Sequence, residues 1–179
     1  MSKTIVINAR LQFPCIDTLD RYDKYGATLL FAPGSDAHDL VQKTITELIK
    51  ESFGGTALPA DNICLKDGDS KPYDGYKGML FISASRKEDN PFKPSQLVGR
   101  NKKPADASAF YAGCHVNAAI NIWPQNNKWG KKVNAELIGL QFVEDDDQLM
   151  TGKKADISDD TFPDLPPLET DAIAADDFI

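Results

Sequence analysis

The run from Phe110 to Trp123 constrains the fold more than any other part of the chain. Phe110, Ala112, Cys114, Val116, Ala118, Ile120 and Ile122 alternate with Tyr111, Gly113, His115, Asn117, Ala119, Asn121 and Trp123. A strict period of two with one apolar face describes a long, half-buried strand. Residues 124–130, Pro-Gln-Asn-Asn-Lys-Trp-Gly, then read as a turn, and 131–143 resume as a returning strand. The pair predicts an antiparallel hairpin.

Three further strands and one helix complete the expectation. Thr4–Phe13 alternates, and Pro14 is expected to end it because proline donates nothing to a ladder. Residues 26–32 form a second strand closed by Pro33-Gly34, and 78–83 a third. Between them Leu40, Val41, Thr44, Ile45, Leu48 and Ile49 repeat with helical spacing after the capping pair Ser35-Asp36. Gly54-Gly55 supplies the stop, so a helix is expected over 36–52. Residues 59–77 and 86–108 read as long loops, with one short extended piece at 96–98. Five strands and one helix predict a mainly β fold, an OB-fold-like antiparallel barrel over residues 1–143.

The 179-residue chain has a net charge of −7, but the charge is divided unevenly. Residues 144–179 hold 12 acids and 2 bases, a local −10, and the rest holds 18 bases and 15 acids, a local +3. The acidic segment is rich in Asp and Pro and poor in apolar residues, so it is expected to be a disordered tail. No apolar run approaches the ~18 residues that cross a membrane. The N-terminus lacks a signal-peptide apolar region, so a cytoplasmic location is expected. Cys15, Cys64 and Cys114 are too few and too scattered for a disulfide framework.

The basic charge is itself concentrated. Lys66 to Lys132 carries 12 Lys/Arg against 6 Asp/Glu, together with 8 of the 16 aromatic residues. Cations track a phosphate backbone and flat rings stack on unpaired bases, so this composition points to single-stranded nucleic acid. A solvated lysine surface over an ordinary aromatic core is the competing explanation. Candidate contacts are Lys66, Lys71, Tyr73, Tyr76 and Lys77 in the first loop, and Arg86, Lys102 and Lys103 in the second. The polar face of the long strand adds Tyr111, His115, Asn117, Asn121 and Trp123, and the hairpin turn adds Lys128, Trp129, Lys131 and Lys132.

Catalytic alternatives are weakly supplied. Asp67, Asp69 and Asp74 lie close in sequence, and Asp145-Asp146-Asp147 follow a strand, so a magnesium-dependent nuclease is one alternative. Cys114 and His115 face opposite sides of a strand and cannot share an ion. There is no P-loop, dinucleotide fingerprint or nucleophile elbow. No catalytic residue, metal site or cofactor is assigned. The final Asp176-Asp177-Phe178-Ile179 is expected to dock a partner, apolar tip into a pocket and carboxylates onto a basic rim.

Three segments carry a family resemblance. They are residues 66–79 (Lys-Asp-Gly-Asp-Ser-Lys-Pro-Tyr-Asp-Gly-Tyr-Lys-Gly-Met), 110–118 (Phe-Tyr-Ala-Gly-Cys-His-Val-Asn-Ala), and 127–137 followed by Gly-Leu-Gln-Phe-Val at 139–143. The chain resembles a tailed-phage family of small single-stranded DNA-binding proteins built on an OB-type barrel. The resemblance implies binding of single-stranded DNA in phage replication, recombination or repair, within the cytoplasm of an infected bacterium, and cations with stacking rings predict that it is sequence-independent. Independently of the resemblance, the local −10 of the tail is expected to compete with DNA for the basic body, and the freed tail to recruit phage or host replication and recombination proteins. Homo-oligomerisation is left open. An acidic interaction protein that mimics DNA is the rival reading, disfavoured because the acid lies outside the expected folded body.

Overall fold

The computed structural model describes residues 2–149 and 162–168. Seven strands and one α-helix form in the order β1 (Lys3–Cys15), β2 (Lys24–Phe31), α1 (Asp36–Phe53), β3 (Leu65–Asp67), β4 (Leu80–Lys87), β5 (Leu97–Val98), β6 (His115–Asn127) and β7 (Gly130–Glu144). The sheet order is β3-β4-β2-β1-β6-β7-β5, and Ser85 of β4 pairs in parallel with Glu136 of β7. That pairing closes β1, β2, β4, β7 and β6 into a five-membered ring. Antiparallel neighbours throughout, with one parallel closure, make the expected OB-type barrel. The short β3 and β5 are additions at its edges.

The apolar periodicities named in the sequence fill the barrel. Ile7, Ala9 and Leu11 of β1, Leu29 of β2, Ile82 and Ala84 of β4, and Val116, Ala118, Ile120 and Ile122 of β6 are buried in one core. Helix α1 lays Val41, Ile45 and Leu48 on that core. The Ser35 hydroxyl accepts from the His38 amide at its start, and Gly54 ends it in the left-handed conformation with φ 63°.

Element boundaries differ from expectation for local reasons. β1 runs past Pro14 to Cys15 through a register shift, with Phe13 at φ 49°. A bulge leaves one residue unpaired, so the missing proline donor is tolerated there. β4 starts at Leu80 because Gly78 turns with φ 73°, and it extends to Lys87 because β2 pairs with it along its full length. Residues 110–114 are a turn, not a strand: Gly113 has φ 113°, and its amide donates to the Leu11 carbonyl at 2.7 Å. Their apolar members are buried as the alternation demands. β6 and β7 run on to Asn127 and Gly130, so the turn shrinks to Lys128-Trp129 at the tip of a two-stranded ribbon.

The acidic segment does not leave the body at Val143. Glu144 ends β7, and residues 145–149 pack back on the barrel, with Leu149 only 5% exposed. No helix among the described residues is long and apolar enough to cross a membrane.

Candidate nucleic-acid interface

An open groove crosses the outer face of β2 and β4. One stretch, about 1020 Å³, runs between β4 and the β6–β7 ribbon; a second, about 590 Å³, lies between β2 and the loops at 20–22 and 71–76. The two share Lys24, Lys71, Phe81, Ser83 and Ser85, so they are continuous. Ladder partners Thr28 and Ser83 join hydroxyls at 3.3 Å on the floor, where small side chains keep the trough deep.

The walls supply rings and charge. Phe13, Tyr22 and Tyr73 line one end and Trp123 the other. The bulge in β1 is what brings Phe13 to this side, where its ring meets Tyr73 edge-on at 5.1 Å. Trp123 and Gln125 reach the groove because the ribbon twists beyond the point where β1 stops pairing, at Ile122. Seven cations line the groove (Arg21, Lys24, Lys66, Lys71, Arg86, Lys87 and Lys132) against four acids (Asp20, Asp61, Asp89 and Glu136). In an OB-type barrel this face and the two flanking loops are where oligonucleotides bind.

The sequence-predicted candidates divide. Lys66, Lys71, Tyr73, Trp123 and Lys132 come together in the groove. Tyr76 and Arg86 line it but are 2% and 6% exposed, so neither offers an open face for stacking. Tyr76 packs between Tyr73 at 5.4 Å and Phe81 at 5.1 Å, and burial pushes its phenol pKa up. Arg86 lies 4.3 Å from the Phe92 ring centroid and donates to the Leu137 and Ile138 carbonyls at 3.4 and 3.2 Å. Desolvation lowers its pKa, and nearby Glu136 opposes the shift. It is a structural arginine joining β4 to β7.

The polar face of β6 lies elsewhere. Asn117 bridges Asn8 and Gln141 at 3.2 and 3.1 Å, and Asn121 pairs with Thr4 at 3.4 Å. These residues form a neutral cross-strand ladder outside the groove. Tyr111 donates to Asp145 at 2.6 Å and His115 pairs with Asp146 at 2.7 Å, so both are engaged by the acidic segment. Lys77, Lys102 and Lys103 are exposed on turns outside the groove. At the ribbon tip Trp129 is 70% exposed, with the Lys128 ammonium 5.0 Å from its ring centroid. Lys131 points to the other side of the ribbon, 5.9 Å from the Phe53 ring. Asp176, Asp177, Phe178 and Ile179 lie outside the described residues.

The carboxylates considered for a nuclease have local duties. Asp67 accepts from the Asp69 amide at 2.9 Å and Asp69 from the Gly78 amide at 2.7 Å, which fixes the 67–78 loop. No three His, Cys, Asp or Glu side chains converge as a metal site among the described residues. Sequence reasoning missed Phe13, Arg21, Tyr22, Lys24, Lys87 and the serines of β4. The alternation Ser83, Ser85, Lys87 was the available signal, hidden by ending the third strand at Ser83.

Known proteins are similar to this chain in sequence or fold. The solved single-stranded DNA-binding protein from bacteriophage Enc34 in complex with ssDNA is 26% identical, with TM-score 0.66, over 81% of this chain and 88% of that one. T7 gp2.5, a single-stranded DNA-binding protein, matches in fold alone at 13% identity and TM-score 0.54, over 92% of this chain and 100% of that one. The putative protein p50 of Acyrthosiphon pisum secondary endosymbiont phage 1 is 32% identical over 94% of this chain and 96% of its own length. A family model described as Enterobacter phage Enc34, ssDNA-binding protein, matches residues 3–176, and the chain belongs to that family.

Proposed function

We propose that the chain binds single-stranded DNA in the groove across β2 and β4, with little sequence preference. One observation carries this reading: open rings at both ends of a cation-lined trough, on the face of the barrel where OB-type proteins take oligonucleotides. Tyr22, Tyr73 and Trp123 stack on unpaired bases, which every base permits. Lys24, Lys66, Lys71, Lys87 and Lys132 contact phosphates and release counterions. The role is protective binding in phage replication, recombination or repair, in the cytoplasm of an infected bacterium, and not catalysis.

The acidic tail has a place in this reading. Beyond Leu149 it holds eight acids and two bases, and that net −6 competes with DNA for the basic groove, while its Asp176-Asp177-Phe178-Ile179 end recruits replication or recombination proteins. Anisotropy titration of a labelled single-stranded oligonucleotide tests the main claim, with unlabelled single strands and duplex as competitors. Saturable binding displaced by single strands of any sequence, and poorly by duplex, is the expected result. Equal displacement by duplex would overturn the single-strand assignment.

A further inference from the structure

Residues 145–149 make contacts that a detached tail would not make. Arg10 Nη2 donates to the Asp147 carbonyl at 2.7 Å and lies 3.7 Å from the Asp146 carboxylate. His115 holds the other oxygen of Asp146, and the Asp146 amide donates to the Tyr111 hydroxyl at 3.1 Å. The Leu149 amide then donates to the Ala112 carbonyl at 2.9 Å. Two glycines admit this path. A Cβ on Gly113 would sit 2.2 Å from the Asp147 carbonyl oxygen, and one on Gly75 would sit 3.0 Å from both Leu149 methyls.

Leu149 ends the path inside a small second core. It packs with Leu30, Tyr76, Phe81 and Ala112, and Phe13 and Tyr73 lean on the same cluster. Leu149 does not line the groove, but Phe13, Tyr73, Tyr76 and Phe81 do. The first residues of the acidic segment therefore back the aromatic end of the groove.

We propose that residues 145–149 are a strap whose terminal Leu149 is a positioning residue for DNA binding, holding Tyr73 in its stacking position through Tyr76. The acidic segment then has two parts with opposite effects: the strap builds the groove, and the charge beyond it opposes the ligand. The strap fixes where that charge leaves the body, beside the ring cluster. Because this role presupposes that the groove is the single-strand site, its test must separate the two.

The test is a double-mutant cycle in the full-length protein, read by oligonucleotide anisotropy with unfolding followed in parallel. Leu149→Ala is expected to weaken binding about threefold or more, within the coupling range of residues in contact. Leu149→Met restores binding to within about twofold, since it refills the volume. On a Tyr73→Ala background, Leu149→Ala has almost no further effect, and amides of residues 68–79 exchange faster in Leu149→Ala than in the wild type. An equal loss on both backgrounds, or no loss with exchange unchanged, overturns the strap role. Should Leu149→Ala fail to fold, the pair Tyr111→Phe/Asp146→Asn, which removes hydrogen bonds of the strap and no core volume, takes its place in the same cycle, and the same two results overturn the strap role. Absence of single-strand binding by the wild type would overturn the groove assignment instead, and the strap role with it.

Discussion

Replacing Trp123 with Ala removes one wall of the proposed site while leaving the barrel core in place. The residue lies on the ribbon, one position beyond the last pairing of β1 with β6, opposite Asn134. The residue is 37% exposed and lines the groove, so its ring has an open side for a base. A base stacked on an aromatic side chain is worth ~1–3 kcal/mol, equivalent to about 5- to 140-fold in affinity. Asn117→Ala and Asn121→Ala, on the same face of the same strand but in the neutral ladder, are surface changes expected within ~0.5 kcal/mol, or about twofold. Anisotropy of a labelled oligothymidine reads all three, with far-UV circular dichroism to confirm folding. A Trp129→Phe background makes Trp123 the sole reporter, and its fluorescence should quench on binding. Folded Trp123→Ala with affinity unchanged, or a greater loss in Asn117→Ala, would refute the assignment of the groove.

Three further outcomes are expected. With five groove lysines contacting phosphates, log affinity should fall against log salt with a slope of about −3.5, and each Lys→Gln change at Lys24, Lys66, Lys71, Lys87 or Lys132 should reduce that slope by about 0.7. Truncation after Leu149 should tighten binding at low salt, where screening is weak, and extending the cut to Val143 should give back part of that gain, both read by the same titration. The hydrogen bond to His115, then the Asp147 amide, hold the Asp146 carboxyl below the ordinary aspartate range, with Arg10 adding to the effect. A carboxylate lowered on folding stabilises the docked strap above its unfolded pKa of ~3.9 and loses that contribution as pH falls through the lower folded value. Protection of the Asp147 and Leu149 amides, measured as exchange relative to the intrinsic rate at each pH, should hold down to about pH 4 and fall below it, and Asp146→Asn should abolish that acid limb.

The sequence carried the barrel's interior more faithfully than its site. Apolar alternation in β1 and β6 and the helical spacing in α1 named mostly buried residues, because burial against one core imposes a single period, with Leu40 exposed and Ile49 half-buried at the margin of the helix stripe. The boundaries slipped where backbone chirality intervened, at Phe13, Gly78 and Gly113. The site was half legible. Lys66, Lys71, Tyr73, Trp123 and Lys132 stood out by composition, yet composition cannot tell an open ring from a packed one, and Tyr76 is packed. Nor can strand alternation distinguish Asn121 from Trp123, which share a face until the ribbon twists away from β1. The average composition of the acidic segment conceals the single Leu149 and the two glycines that let it dock.

The central claim is that single-stranded DNA lies across β2 and β4. Photo-crosslinking of 5-iodouracil oligonucleotides, with adducts located by peptide mass spectrometry, tests it most directly. Adducts are expected on Tyr22, Tyr73 and Trp123, lost when unlabelled single strands compete. Adducts confined to the Asn8–Asn117–Gln141 face or to α1 would contradict it.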